Sequence, residues 1–224
     1  KVLFIDCDPQ CNGTDFYEAE VEGQATLMDI LCGDEPAKEC IQQTEKGDII
    51  ASDDNLYDAE TTVKADEMRF MHLKNSCKAI EKYYDYIIID TPPAIGVVLK
   101  NILSYTDWII IPVEESGWSM SGLARFAKAM NLARMNNKRL KVAGVLTVKT
   151  KKRTRKCQRM GALAEDIAKD LKTTRFETKI RESVACSEAL TEYFVPLHEY
   201  AEDSTTNQDY MAFTDELLEV VNNG

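Results

Sequence analysis

The sequence predicts an α/β protein with a doubly wound, mostly parallel sheet flanked by helices. Three observations carry that prediction. Short β-branched apolar runs recur along the chain, stretches with helical periodicity separate them, and no apolar run is long enough to span a bilayer.

The strands are expected at 2–5 (VLFI), 48–51 (DIIA), 86–90 (YIIID), 108–113 (WIIIPV) and 142–148 (VAGVLTV). Each is apolar at successive positions, as a strand covered on both faces must be. Helices are expected at about 26–32, 65–83, 97–104, 119–136 and 155–171. In 119–136, Met120, Leu123, Ala124, Ala127, Met130 and Ala133 form one apolar stripe. A tail helix over 208–222 repeats the pattern with Tyr210, Phe213, Leu217 and Val221. Its polar face carries Asp and Glu without Lys or Arg, so it reads as a core-facing helix and not a membrane binder. No linker or low-complexity segment interrupts the pattern, and a single domain over 1–224 is expected.

Composition narrows the function classes. The seven cysteines are scattered and contain no C-x-x-C pair, and the two histidines lie far apart, so neither zinc nor dithiol chemistry is indicated. With no secretory signal, reduced thiols in a cytoplasmic protein are expected. The net charge of −11 is unevenly spread: residues 1–67 carry −14, residues 68–181 carry +13, and residues 182–224 hold ten acids and no base. The densest basic run, KTKKRTRKCQR at 149–159, is either a solvated face or a local site for a polyanion.

In open α/β sheets, chemistry collects at the carboxyl ends of the strands. Strand 2–5 runs into Asp6 and Asp8, and strand 86–90 ends in Asp90 followed by Thr91-Pro92-Pro93. An apolar strand ending in Asp often does no more than cap a turn. It is also the Walker B pattern, in which the carboxylate holds the water shell of a Mg²⁺ bound to nucleotide phosphates. Two such strands in one chain favour the second reading.

VLFIDCDPQCNGT at 2–14 resembles the switch I region of the ParA/Soj family of partition ATPases, the deviant Walker-A branch of P-loop proteins. That family carries D-x-D-P-Q-x-N-x-[ST] after a strand. The likeness continues in the family's order through TLMDIL (26–31), GDIIASDDNLYDAE (47–60), YDYIIIDTPPAIG (84–96) and IPVEESGWSMSGL (111–123). GVLTVKTKKRT (144–154), IRESVACSEAL (180–190) and VPLHEYAEDS (195–204) complete it. It implies a P-loop-type fold, ATP and Mg²⁺ as ligands, and roles by position. Asp8 would orient the hydrolytic water, Asp6 would lie near metal and phosphates, and Asn12 would approach the γ-phosphate. Asp90 would hold Mg²⁺ through water, with Asp6 beside it, and Thr91 to Gly96, including Pro93, would form switch II.

One element of the family pattern is missing from the sequence. The K-G-G-x-G-K-[ST]-[ST] loop, which presents backbone N–H groups and lysines to the phosphates, has no counterpart: no two glycines are adjacent and there is no G-K-[ST]. The expectation is a longer protein whose first strand and phosphate loop lie outside these residues, the 224 residues alone being inactive. The alternative is a degenerate, non-catalytic DNA-binding or regulatory relative.

The resemblance further implies a nucleotide-dependent sandwich dimer that binds double-stranded DNA without sequence preference, a ParB-like protein that stimulates hydrolysis, and a cytoplasmic, nucleoid-associated location. Lys149, Lys151, Lys152, Arg153, Arg155, Lys156 and Arg159, with Lys179 and Arg181, are the candidate phosphate contacts. Two departures affect the base-side loops: Lys149-Thr150 replaces a Tyr-Asp-like pair, and EDST at 202–205 replaces P-x-S. A MinD-like membrane-cycling ATPase would need a basic amphipathic C-terminal helix, and this tail has no base.

Overall fold

The computed structural model describes residues 1–65, 67–114, 120–150 and 155–224; for residues 120, 121, 123 and 155–160 it describes the backbone alone. These residues form two compact units, 1–106 with 129–138, and 107–128 with 139–224. The class is α/β as predicted, and among the described residues one of the five strand pairings is antiparallel and the others are parallel.

In the first unit the elements are β1 (Val2–Ile5), α1 (Asn12–Tyr17), α2 (Leu27–Cys32), β2 (Ile41–Thr44) and β3 (Gly47–Ile50). They continue with α3 (Ala59–Thr62), α4 (His72–Cys77), β4 (Tyr86–Ile89) and α5 (Val97–Tyr105). The sheet order is β2-β3-β1-β4, with β1 parallel to both β3 and β4. Alternation along β1 sends Leu3 and Ile5 to one face, where they join Leu27, Leu31, Leu73, Val97 and Ile102 in the core. Burial of large aliphatic side chains contributes about 1.5–3 kcal/mol each, so this face holds the sheet against α2, α4 and α5.

The other face is less covered. Phe4 stacks on Tyr17 at 5.2 Å between ring centroids. Register pairs Val2 with Tyr86 and Phe4 with Ile88, placing them on that same face. There Val2, Tyr86 and Ile88 remain 48%, 40% and 48% exposed. Among the described residues β4 pairs with β1 alone, so its other edge is open.

The second unit begins with β5 (Trp108–Val113), while α6 (Met120–Asn136) follows it in the chain. Then come β6 (Lys141–Thr150), α7 (Arg155–Asp170), β7 (Arg175–Arg181), α8 (Val184–Thr191), α9 (Leu197–Tyr200) and α10 (Thr205–Asn223). Strands β5-β6-β7 are all parallel. Phe213, Leu217 and Val220 of α10 pack on Ala143, Leu146, Phe176 and Ile180, with Phe213 edge-on to Phe176 at 5.0 Å. The predicted tail stripe is therefore realised, except that Val220 takes the place of Val221 and Tyr210 is 41% exposed.

The expected long helix over 65–83 is short. Among the described residues of that stretch only His72–Cys77 is α-helical, followed by a 3-10 turn at Glu81–Tyr83. Its start is set from outside, because the buried Asn101 side chain of α5 accepts from the Leu73 N–H at 3.2 Å. Two strands went unpredicted. β2 is a polar, antiparallel edge strand (IQQT), and β7 (RFETKIR) alternates buried Phe176 and Ile180 with exposed residues. Neither is a continuous apolar run.

Candidate functional site

The parallel register Ile5↔Ile89 brings the ends of β1 and β4 side by side. The Asp90 N–H donates to the Ile5 carbonyl at 2.9 Å, and the Asp6 N–H to the Ile50 carbonyl of β3 at 3.1 Å. Three strand ends therefore present Asp6, Asp90 and Ser52 at one edge of the sheet, where the expected chemistry falls.

Asp6 is fully buried, and the protein itself uses both carboxylate oxygens. Oδ2 accepts from the Thr14 N–H at 2.7 Å and the Thr14 hydroxyl at 2.8 Å, while Oδ1 accepts from the Asp8 N–H at 3.1 Å. Thr14 Oγ1 accepts in turn from the Ser52 N–H at 2.8 Å, and the Ser52 hydroxyl donates to the Asp8 carbonyl at 2.7 Å. The loop from Asp8 to Thr14 is thus clasped to β1 and β3 by charge-assisted bonds. Gly13 belongs to the clasp: a Cβ there would come within 2.5 Å of the Phe4 ring and 3.0 Å of Asp6 Oδ2.

The clasp leaves Asp8 half-buried at the loop's turn. Its Oδ1 accepts from the Gln10 N–H at 2.9 Å, a local Asx turn that orients the carboxylate. Cys11, in the left-handed region at φ 56°, turns the chain into α1, and Asn12 opens that helix at the surface. The Gln10 side chain donates to the Tyr57 hydroxyl.

Asp90 Oδ1 accepts from the Thr91 N–H at 3.0 Å, and the chain beyond it, through Thr91 and Pro93 to Ile95, lies at the surface. Loss of hydration pushes the Asp90 carboxyl above the usual range, and the Asp6 and Asp8 charges add to this against the pull of the Thr91 N–H. The Cys7 thiol, buried behind the same strand end, is raised well above its ordinary value by burial and then by Asp6 and Asp90. Cys11 is raised too, by partial burial first. Neither thiol is primed as a nucleophile or metal ligand. Among the described residues no group of three or more His, Cys, Asp or Glu side chains could hold a metal ion directly.

The structure thus brings Asp6, Asp8 and Asp90 together and puts Asn12 on the same loop. Thr14 and Ser52, which complete the clasp, were not assigned a role from sequence. The one signal for Thr14 was the final [ST] of the switch I pattern. A serine following a strand in ASDD has no distinguishing context.

The basic candidates among the described residues lie in the second unit. Lys149, at φ 53°, reaches Glu114 at 2.9 Å. Lys179 is exposed on β7. Arg181 is engaged: Nε donates to Asp209 Oδ2 at 2.7 Å, and Nη2 to Asp209 Oδ1 at 2.5 Å and to the Thr205 carbonyl at 2.9 Å. Lys151, Lys152 and Arg153 lie outside the described residues. Arg155, Lys156 and Arg159 fall on the first turns of α7, with side chains outside the description. No helix among the described residues is long and apolar enough to cross a membrane.

The family model of the AAA domain matches residues 1–142. The sporulation initiation inhibitor protein Soj of Bacillus subtilis is 32% identical over 196 residues, covering 84% of this chain and 75% of Soj. The chromosome partitioning protein ParA of Caulobacter vibrioides is 28% identical over 190 residues, covering 82% of this chain and 68% of that protein. Among solved structures, apo McdA from Cyanothece superposes with a TM-score of 0.82 at 25% identity, covering 97% of this chain and 87% of McdA. A putative plasmid partition protein of Borrelia burgdorferi bound to AMPPNP gives 0.72 at 25% identity, covering 100% of this chain and 86% of that one. With the D-x-D-P-Q-x-N-x-[ST] loop clasped at the strand ends and this likeness over most of its length, the chain belongs to the ParA/Soj family of P-loop ATPases.

Proposed function

We propose that the chain supplies the hydrolytic half of the nucleotide pocket of a DNA-partitioning ATPase, which dimerises around ATP and binds double-stranded DNA without sequence preference. The observation that carries this reading is the convergence of Asp6, Asp8 and Asp90 at the ends of adjacent parallel strands, with the loop that bears Asp8 tied to Asp6. The Borrelia relative's nucleotide analogue supports ATP as the ligand.

Each residue has work fitted to its geometry. Asp8, half-buried with its carboxylate oriented by the Gln10 N–H, positions the attacking water. Asp6 fixes the loop and lends its charge to the site. Among the described residues Asp90 Oδ2 has no hydrogen-bond partner, and its carboxyl is raised first by loss of hydration and then by the Asp6 and Asp8 charges, a part that a divalent cation would offset. That fits a Mg²⁺ held through its water shell by Asp90; when bound, the ion neutralises charge on the phosphates. Asn12, exposed at the start of α1, faces the γ-phosphate side, and Thr91 to Gly96 respond to nucleotide state. The phosphate cradle is not among these 224 residues. The open edge of β4 and the exposed Val2, Tyr86 and Ile88 beside it support a further strand and cover there, within the same ATPase domain.

The basic run at 149–159 with Lys179 is the DNA footprint, a ParB-like protein stimulates turnover, and the protein works on the nucleoid. In a chain that includes a G-K-[ST] loop, Asp8→Ala should abolish ATP turnover while ATP binding persists. Turnover unchanged by Asp8→Ala would refute the role assigned to this carboxylate.

A further inference from the structure

The Thr91–Gly96 loop is held at its entrance by Asp90. Its exit is held by a side chain from another element. Glu60 of α3 places Oε1 on the Val97 N–H, the first amide of α5, in a helix whose N-cap residue Gly96 provides no side-chain cap. The same oxygen fills the space beside Gly96, where a Cβ would meet it at 2.5 Å. Glu60 is steadied in turn by Arg69, whose Nη2 reaches Glu60 Oε2 at 3.2 Å and the Glu60 carbonyl. The Arg69 carbonyl accepts from Asn101 Nδ2 at 2.8 Å; that buried amide also reaches the Val97 carbonyl at 3.1 Å and caps Leu73 through its oxygen. Polar groups of α3, the 69–73 segment and the first turn of α5 thus form one connected clamp.

We propose that Glu60 is a positioning residue that anchors the exit of the Thr91–Gly96 loop, so that movement of this loop with nucleotide state pivots about a fixed α5 N-terminus. Three constraints converge on the exit: a carboxylate on the helix N-terminus favours the macrodipole, a missing Cβ admits it, and an arginine orients it. Between the two anchors, Thr91, Pro93, Ala94 and Ile95 are exposed. The nucleotide part of the proposal rests on the ATPase reading above; the clamp itself does not.

The test is amide hydrogen exchange on the 224-residue chain, comparing Glu60→Ala, Glu60→Gln and the unmodified protein. Exchange at Val97–Leu99 should rise roughly tenfold in Glu60→Ala, the equivalent of ~1.4 kcal/mol, with β1 and β3 amides unchanged. Glu60→Gln, which keeps an acceptor for Val97, should fall between. Unchanged exchange at Val97–Leu99, or an equal rise across β1 and β3, overturns the proposal. In a chain that includes the phosphate loop, Glu60→Gln should lower kcat for ATP severalfold with KM little changed; an equal rise in KM with kcat retained also overturns it. If that parent chain turns over no ATP, the ATPase reading fails while the exchange result still decides the clamp.

Discussion

Removing one hydroxyl at Thr14 tests the clasp directly. Thr14→Val is nearly isosteric, and the site is 2% exposed, so packing is preserved while two hydrogen bonds disappear. The first is the hydroxyl's donation to the Asp6 carboxylate at 2.8 Å, charge-assisted and worth about 1.5–3 kcal/mol. The second is its acceptance from the Ser52 N–H at 2.8 Å. Ser52 is fully buried, so its amide loses its partner at a cost of about 1–3 kcal/mol. Asp6 keeps the Thr14 and Asp8 N–H bonds, so the two losses overlap and the expected total is about 3 kcal/mol. In urea, with a slope of about 2 kcal/mol/M, the unfolding midpoint should fall by about 1.5 M at constant slope. Thr14→Ser, which retains the hydroxyl, should cost about 1 kcal/mol. Equal losses for Val and Ser would show that the methyl, and not the hydrogen-bonded clasp, matters at this position.

The remaining predictions concern the second unit. Burial alone would raise the Asp209 carboxyl, but the Arg181 guanidinium and N–H outweigh it and hold the group below the ordinary range. A depressed folded-state pKa contributes stability that is present above the unfolded value of about 3.9 and lost as pH falls through the folded one. Asp209→Asn should therefore lower stability by about 1–2 kcal/mol at pH 7, and the gap to the unmodified chain should narrow in acid urea titrations as pH falls below about 4; a gap of constant size across that acid range would count against the ion pair. For DNA, reversing charge at Arg153 and Arg155 should weaken binding uniformly across sequences and reduce the salt slope by about 0.9 for each phosphate that is no longer neutralised. Binding that ignores both salt and these substitutions would remove the basic-patch reading.

How much of this was legible in the sequence follows from what each element has to bury. β1, β4, β5 and β6 were readable because their residues are apolar in succession. β2 and β7 were not, since a strand with one solvated face or an open edge needs only alternate apolar positions, and short alternating runs such as RFETKIR are common by chance. The helix over 65–83 looked continuous from composition, but its start depends on Asn101, almost thirty residues away. Asp6, Asp8 and Asp90 could be named from their positions after strands; that Asp6 gives both oxygens to its own loop could not. Periodicity does not tell an acid that meets solvent from one whose oxygens are all taken by its own loop.

That distinction bears on how the site works. A carboxylate bonded on both oxygens at 0% exposure, as Asp6 is, has little left to offer a ligand, yet its charge still acts on Asp90. One buried acid therefore does two things: it clasps the Asp8–Thr14 loop through Thr14, and it raises the cost of an ionised Asp90 at the open sheet edge. The Asp6 and Asp8 charges add to the cost that loss of hydration already sets on an ionised Asp90, and in the proposed ATPase a cation at the edge would offset that part. Asn at position 6 would keep one acceptor, so its N–H₂ would face either the Asp8 N–H or the two Thr14 donors, and one side of the clasp would be lost even as the repulsion on Asp90 eased. The acid at position 6 is thus required by the loop's donors, and its charge on Asp90 follows from that requirement.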